Sequence, residues 1–188
     1  MRKMLLIAVG MVLLAGMASA QVPTSGDIYL GYSFENTDWS GLNSALSRPN
    51  LHGWEGSLEG KVFPHVGIVT DFSQHFGSQH FNEPTPLGPT SVNVTGHGWE
   101  LLFGPRLSLP AGGITPFAEA LFGLGHISNG GTLPSTTNTS FATALGGGLD
   151  FKLVRPLAVR FEGDYLQTRF YSTRQNAVRV STGLVIRF

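Results

Sequence analysis

The sequence predicts an all-β fold, a single up-and-down barrel of eight antiparallel strands. Three observations support this prediction: segments in which apolar and polar residues alternate, connections that are alternately long and short, and a leader typical of secreted proteins. The alternation is clearest near the C-terminus, where Val178 and Val180 share one face and Arg179 and Ser181 the other. A period of two indicates a strand with one apolar face.

The first 20 residues have the three regions of a secretory signal peptide. Arg2 and Lys3 precede an apolar run at 4–14, and small residues end the segment at 18–20. The alternative, a retained anchor helix, is disfavoured because this run is shorter than the ~20 residues that a membrane span needs. We therefore expect a signal peptide at 1–20 and one barrel domain at 21–188.

The composition excludes several classes of protein. The chain has 12 basic and 12 acidic residues, so no basic patch indicates a nucleic-acid partner. It has no cysteine, which excludes a lipoprotein anchor and disulfide bonds. After the leader no apolar run reaches the length of a spanning helix, so a membrane location of the mature chain would require a β-barrel.

Eight segments show the alternation of apolar and polar residues, and the connections between them are alternately long and short. The strands are expected at about 27–35, 51–62, 66–75, 99–108, 114–128, 139–153, 157–170 and 176–188. The long connections are 36–50, 77–95, 129–138 and 171–175, and the short ones are 63–65, 110–113 and 154–156. Pro105 lies on the apolar face of the fourth strand and requires a bulge or a weakened pairing.

Such strands can turn their apolar face toward a protein core or toward lipid. Long loops at one end and tight turns at the other are typical of outer-membrane barrels, with the loops outside the cell. Strands of roughly 10–13 residues also match the ~25 Å apolar band of that membrane. We therefore predict a transmembrane barrel in the outer membrane of a Gram-negative cell; the alternative is a soluble secreted barrel.

The sequence resembles the OmpA-like, opacity-type family of eight-stranded outer-membrane barrels. The resemblance lies in TPFAEALFGLG (115–125), ALGGGLDFKL (144–153), LAVRFEGDYLQTRF (157–170) and the final STGLVIRF. It implies contact with outer-membrane lipids and lipopolysaccharide, and insertion by the barrel-assembly machinery with Phe188 as the assembly signal. Tethering to the cell wall is not implied, because no peptidoglycan-binding domain follows the barrel. A closed barrel has no free edge, so we expect a monomer.

The inward face of the predicted barrel collects most of the charge of the chain. The expected lumen network comprises Glu55, Glu59, Lys61, Asp71, Glu100, Arg106, Glu119, Asp150, Lys152, Arg160, Glu162, Asp164, Arg179 and Arg187. These charges must pair or meet water, since an unpaired buried ion costs several kcal/mol. Two interpretations stay open: a salt-bridged plug that specifies the fold, and a narrow gated ion path. Eight strands leave too little room for a wide pore.

One short stretch, His126-Ile127-Ser128-Asn129, is a candidate catalytic site on the outward face of the fifth strand. It is similar to the His-x-Ser-Asn stretch of the lipid A 3-O-deacylases, outer-membrane barrels in which the serine is the nucleophile and the histidine its base. That family supplies an acid from the next strand, whereas 129–149 contains no Asp or Glu and offers Thr139, Ser140 or Thr143. Without an acid to orient the imidazole, we predict no enzyme and an interfacial polar role for His126.

The remaining aromatic and histidine residues fit a membrane protein without a cofactor. His75 and His80 lack a metal-ligand spacing, so we expect no metal and no cofactor. Six aromatic residues are expected to form an interfacial girdle: Trp39, Trp54, Trp99, Tyr165, Phe170 and Phe188. The expected function is a structural role in the membrane, with surface recognition through the second and third long loops as a variant; the alternatives are a narrow ion-conducting channel and lipid A deacylation.

Overall fold

The computed structural model describes residues 25–37, 50–85, 88–131 and 136–188, with the backbone alone at 79–85, 88–94 and 129–131. The strands are β1 (Gly26–Thr37), β2 (Asn50–Phe63), β3 (Val66–Thr85), β4 (Gly88–Ser108), β5 (Ile114–Gly131), β6 (Thr136–Val154), β7 (Leu157–Thr168) and β8 (Gln175–Arg187). Each strand pairs antiparallel with the next, and β8 pairs with β1, which closes the barrel. The predicted fold class is confirmed.

Two further observations concern the chain outside these strands. Within the described residues no helix is long and apolar enough to cross a membrane. The expected signal peptide at 1–20 and most of the loop expected at 36–50 lie outside the described residues.

The period-two pattern divides the side chains between the interior and the outer surface. In β8 Arg179 and Ser181 are buried, whereas Val180 and Leu184 are each 53% exposed. The same alternation leaves Leu145 of β6 67% exposed. A soluble protein would bury such residues, since burying one large apolar side chain contributes about 1.5–3 kcal/mol. The outer surface therefore matches a hydrocarbon environment.

The prediction of a long loop at 77–95 is wrong for most of that segment. β3 and β4 pair in one register from Val66 and Leu107 to Thr85 and Gly88, so the hairpin has almost no loop. A strand pair that stands in water has no apolar face to bury, and its sequence therefore lacks the alternation by which strands are recognised. For the same reason β5 and β6 extend into the segment expected as a loop at 129–138, and pair as far as Asn129 and Thr136.

The weakened pairing expected at Pro105 is confirmed. The β4–β5 ladder stops at Phe103 and Phe122 and resumes at Arg106 and Glu119 in the same register. Proline has no N–H to donate to a ladder. Because the interruption inserts no extra residue, Arg106 keeps its inward direction beyond it.

Glycines in β6 let inward side chains of the neighbouring strands lie against the barrel wall. A Cβ atom at Gly146 would lie 1.8 Å from Asp164 Oδ1 and 2.5 Å from the carbonyl oxygen of Gly163. A Cβ atom at Gly148 would lie 2.9 Å from the ring of Phe117. The space beside these glycines is therefore filled by Asp164 and Phe117.

We expect Gly146→Ala to lower the free energy of unfolding by roughly 1–3 kcal/mol, the cost of an overpacked site. The added methyl group would collide with Asp164 and with the β7 backbone. The measurement is the urea unfolding transition of the refolded protein in detergent micelles, followed by tryptophan fluorescence. Gly163→Ala is the matched control, because the nearest atom to its Cβ would be 4.0 Å away. Equal losses in the two variants would contradict the close packing at Gly146.

Candidate functional site

The interior of the barrel is the candidate site, because it holds nearly all the charged side chains of the strands. In the described part of the chain ten carboxylates are buried there: Asp27, Glu35, Glu55, Glu59, Asp71, Glu100, Glu119, Asp150, Glu162 and Asp164. Three arginines, Arg106, Arg160 and Arg179, are buried among them, each at most 1% exposed. Asp27 and Glu35 are buried on the face of β1 that the alternation predicts to be polar.

Arg179 of β8 ties three strands to its own across the lumen. Its guanidinium lies 2.7 Å from Asp164 Oδ2, 2.9 Å from Asp71 Oδ1 and 3.3 Å from Glu55 Oε2. It also donates a hydrogen bond of 3.1 Å to Ser73 Oγ. Glu55 and Asp71 belong to β2 and β3, which are not neighbours of β8 in the sheet. These contacts therefore join strands that are not hydrogen-bonded to each other in the sheet.

Arg160 and Arg106 form a second group nearer the end with the short turns. Arg160 donates to both oxygens of Asp150, at 2.7 and 3.0 Å. Arg106 lies 2.6 Å from Glu119 Oε2. Glu162 stands between the two guanidinium groups, 3.6 Å from Arg106 and 3.8 Å from Arg160. A carboxylate between two arginines offsets their mutual repulsion.

The ring of Phe117 adds an apolar contact to this group. Its centre lies 4.4 Å from the Cζ atom of Arg106 and 4.6 Å from that of Arg160. A desolvated cation over an aromatic face is stabilised by about 2 kcal/mol. The interior therefore contains packed aromatic side chains in addition to the ion pairs.

Two basic residues complete the ion-pair network at the end of the barrel with the short turns. Arg187 Nη2 lies 2.9 Å from Asp150 Oδ2. Lys61 contacts Glu59 and donates to Ser108 Oγ at 3.1 Å. Lys152 was expected in the network, but it is exposed and, among the described residues, makes no ion pair. β6 passes the rim of the barrel at that point, so Lys152 can remain in water.

At the other end Phe170 closes the mouth of the barrel, so its assignment to the girdle is wrong. Its side chain is only 5% exposed, and its ring would lie 3.1 Å from a Cβ atom at Gly125, inside the barrel. Tyr171 and Ser172 have positive φ angles, which turn the chain back at this point. Gln175 fixes the turn through hydrogen bonds of 2.9 and 3.2 Å with the backbone of Phe170.

Other aromatic residues of the expected girdle do lie on the outer surface. Trp54, Tyr165 and Phe188 are between 41% and 55% exposed. Trp99 stacks on the ring of His126 at 5.4 Å. Trp39 lies outside the described residues.

His126 and Ser128 lie on the outward face of β5, and both are half-buried. His126 Nδ1 lies 2.7 Å from Thr139 Oγ1 on β6. A threonine therefore occupies the position that an acid would need in order to orient the imidazole. Ser128 is paired with Thr137 along the backbone, but among the described residues its hydroxyl group has no hydrogen-bond partner. The side chain of Asn129 lies outside the described part. The serine–histidine contact that nucleophilic catalysis requires is therefore not formed here.

The fold and interior define a class: a closed barrel of eight strands with an apolar outer surface and a charged lumen, as in transmembrane barrels. The family model of the outer membrane protein beta-barrel domain matches residues 6–188. The chain therefore belongs to that family, and the protein is located in the outer membrane.

Solved structures of low sequence identity share the fold. The attachment invasion locus protein Ail of Yersinia pestis is 17% identical, with a TM-score of 0.59 over 87% of this chain and 98% of that one. Neisserial surface protein A is 10% identical, with a TM-score of 0.65 over 87% of this chain and 97% of that one. The N-terminal barrel of Pseudomonas aeruginosa OprF is 12% identical, with a TM-score of 0.52 over 89% and 100%. A sequence comparison with curated proteins gives no match.

We expect Arg179→Gln to lower the free energy of unfolding by about 3–5 kcal/mol, because it leaves buried carboxylates without their cation. The measurement is urea unfolding in lipid vesicles, with the difference in gel mobility between unheated and boiled samples as the test of folding. Arg169→Gln, a change at an exposed arginine without an ion pair among the described residues, is the control. A variant as stable as the wild type would contradict the bracing role of Arg179.

Proposed function

We propose that this protein is a surface-interaction barrel: it is anchored in the outer membrane, presents the β3–β4 hairpin outside the cell, and is not an enzyme. The observation that carries the proposal is the length of that hairpin. β3 and β4 stay paired for eight residues beyond Gly77 and Gly96, as far as Thr85 and Gly88. At ~3.3 Å per residue this segment extends about 26 Å.

A projecting strand pair suits recognition, because its exposed edges and side chains can contact a partner beyond the lipid surface. The sequence from 77 to 95 contains one acidic residue, Glu83, and no lysine or arginine. Such a segment favours hydrogen bonding and aromatic or apolar contact over binding of a polyanion. The shared fold with Ail and with Neisserial surface protein A agrees with a surface location, but a fold alone does not transfer a function.

The packed interior supports an anchoring role rather than a channel. Cavities of about 20 Å³ and about 210 Å³ lie at the two ends of the barrel. Arg106, Arg160 and Arg179 and their carboxylates occupy the lumen between these ends. An ion that crosses the lumen would have to break several buried ion pairs, and each broken pair would cost several kcal/mol. We therefore expect no stable conductance in planar bilayers.

The test of the surface role removes the hairpin and keeps the barrel. Ser78 and Thr95 are paired, so an Asn-Gly turn can replace 79–94 and close a regular two-residue hairpin. We expect cells that express this variant to adhere at least threefold less to epithelial monolayers and to serum-coated polystyrene than cells with the wild type. The gel-mobility test verifies that the shortened barrel is folded.

The matched control shortens the neighbouring hairpin in the same way. Ser128 and Thr137 are also paired, so an Asn-Gly turn can replace 129–136. The sequence predicts a surface role for both the second and the third long connections, whereas the proposal confines this role to the second, so we expect this variant to adhere like the wild type. Undiminished adhesion of the folded β3–β4 variant, or equal losses in both variants, would contradict a specific role for the β3–β4 hairpin.

We expect overproduction of the wild type to leave the acylation of lipid A unchanged, because in the described part of the chain His126 has no acidic partner and Ser128 has no base within hydrogen-bond distance. Mass spectrometry of lipid A from cells with and without the protein is the measurement. Loss of one acyl chain in the wild type, abolished by Ser128→Ala, would refute the non-enzymatic assignment.

A further inference from the structure

We propose that Glu35, His75 and Glu100 form a binding site for a divalent transition-metal ion, best matched by Zn²⁺, at the extracellular mouth of the barrel. The three residues belong to β1, β3 and β4, and one ligand atom from each lies within 4.8 Å of the others. His75 Nδ1 is 3.3 Å from Glu35 Oε2 and 3.8 Å from Glu100 Oε2. Ligands at 2.0–2.1 Å from a tetrahedral Zn²⁺ are separated by roughly 3.3 Å.

The first argument is charge. Of the ten buried carboxylates, eight have an arginine or lysine nitrogen within 4.0 Å. Among the described residues Glu35 and Glu100 are the two that have none. Arg179 is paired with Glu35 along the backbone, but directs its guanidinium to Asp71 and Asp164. Two buried carboxylates without a basic partner favour a bound divalent cation.

The second argument is the histidine. His75 Nε2 lies 2.9 Å from Ser33 Oγ, and its side chain is 2% exposed. With the Nε2 proton donated to Ser33, the lone pair of Nδ1 points toward the two carboxylates. Nδ1 has no hydrogen-bond partner among the described residues. A buried and unpartnered imidazole nitrogen aimed at two carboxylates is the arrangement of a metal ligand.

The third argument concerns the residues and the cavity around the three proposed ligands. Ser33 holds the histidine, and Ser73 donates a hydrogen bond of 2.7 Å to Glu100 Oε2. Such contacts orient metal ligands and commonly contribute 10–100-fold in affinity. The three ligands also line a cavity of about 20 Å³, together with Leu51, Leu166 and Phe170. This volume admits one ion with about one water molecule.

The donor set indicates the class of metal. One imidazole nitrogen and two carboxylate oxygens, with room for a water molecule, give the four ligands of a zinc site. Ca²⁺ takes six to eight oxygen ligands, and Mg²⁺ keeps several waters, so the confined site disfavours both. Glu55, Glu162 and Asp164 also come close together, but Arg179 and the other arginines already neutralise that group.

The proposal goes beyond the surface role, because it assigns a ligand to the interior. His75 and Glu100 stand just below the base of the β3–β4 hairpin, and Glu35 stands across the mouth on β1. A bound ion would join the base of the hairpin to β1, a strand with which neither β3 nor β4 is paired. Metal binding and adhesion are separate measurements, so either proposal can fail alone.

The experiment uses the full mature barrel, refolded in detergent micelles, stripped with a chelator and titrated with Zn²⁺ by calorimetry. We expect one Zn²⁺ per chain. His75→Ala and Glu100→Gln should each weaken binding by at least 100-fold, and Ser33→Ala by 10–100-fold. Glu119→Gln, a change at a buried carboxylate that pairs with Arg106 near the short turns, is the control and should bind like the wild type.

Two further readouts separate the site from adventitious binding. X-ray absorption of the zinc complex should show nitrogen and oxygen ligands with a single imidazole, and bound Zn²⁺ should raise the unfolding temperature of the wild type but not of Glu100→Gln. The gel-mobility test verifies that each variant is folded, and Ser33→Ala and Glu100→Gln keep the test valid if His75→Ala does not fold. No stoichiometric binding, or unchanged binding in folded variants of the site, would overturn the proposal.

Discussion

Ion pairs that cross the lumen are the interactions on which the rest of this barrel depends. Arg179 on β8 contacts carboxylates of β2 and β3, and Arg106 on β4 contacts Glu162 on β7. A one-residue slip of a strand would move its charges to the outer surface, at a cost of about 2–4 kcal/mol for each arginine at the middle of the membrane. The ion pairs therefore help to fix which face of every strand points inward, and the apolar outer surface follows from that choice.

The sequence predicts this arrangement well where one face is apolar. In β8 the alternation of Val180 and Leu184 with Arg179 and Ser181 suffices to assign both faces, because lipid and lumen demand opposite residues. It fails for the part of the β3–β4 pair beyond Gly77 and Gly96, where the sequence shows no alternation that distinguishes a strand from a loop. The girdle assignment of Phe170 is wrong for another reason: Phe170 continues the phase of the buried residues Asp164 and Thr168 of β7, so the alternation itself places its side chain inside.

The cluster of three potential ligands at the mouth of the barrel could not be predicted from the sequence, for a different reason. Glu35, His75 and Glu100 are far apart in the chain, and their approach depends on the register of β1 to β4 around a closed barrel. Within one strand the sequence offers only His75 and His80, which lack a metal-ligand spacing, whereas the two glutamates lie on other strands. The ion pairs of the lumen brace the barrel, and the proposed recognition role is assigned to the hairpin at its outer end.

The measurement that tests this account most directly is site-specific lipid exposure along β8. The chain has no cysteine, so single cysteines at Val180 and Ser181 can each carry a fluorescent label without competing sites. In vesicles that contain a nitroxide-labelled lipid, we expect strong quenching at Val180 and either no quenching or no labelling at Ser181. Strong quenching at Ser181 with protection at Val180 would mean that the charged face meets lipid, and would contradict the central claim.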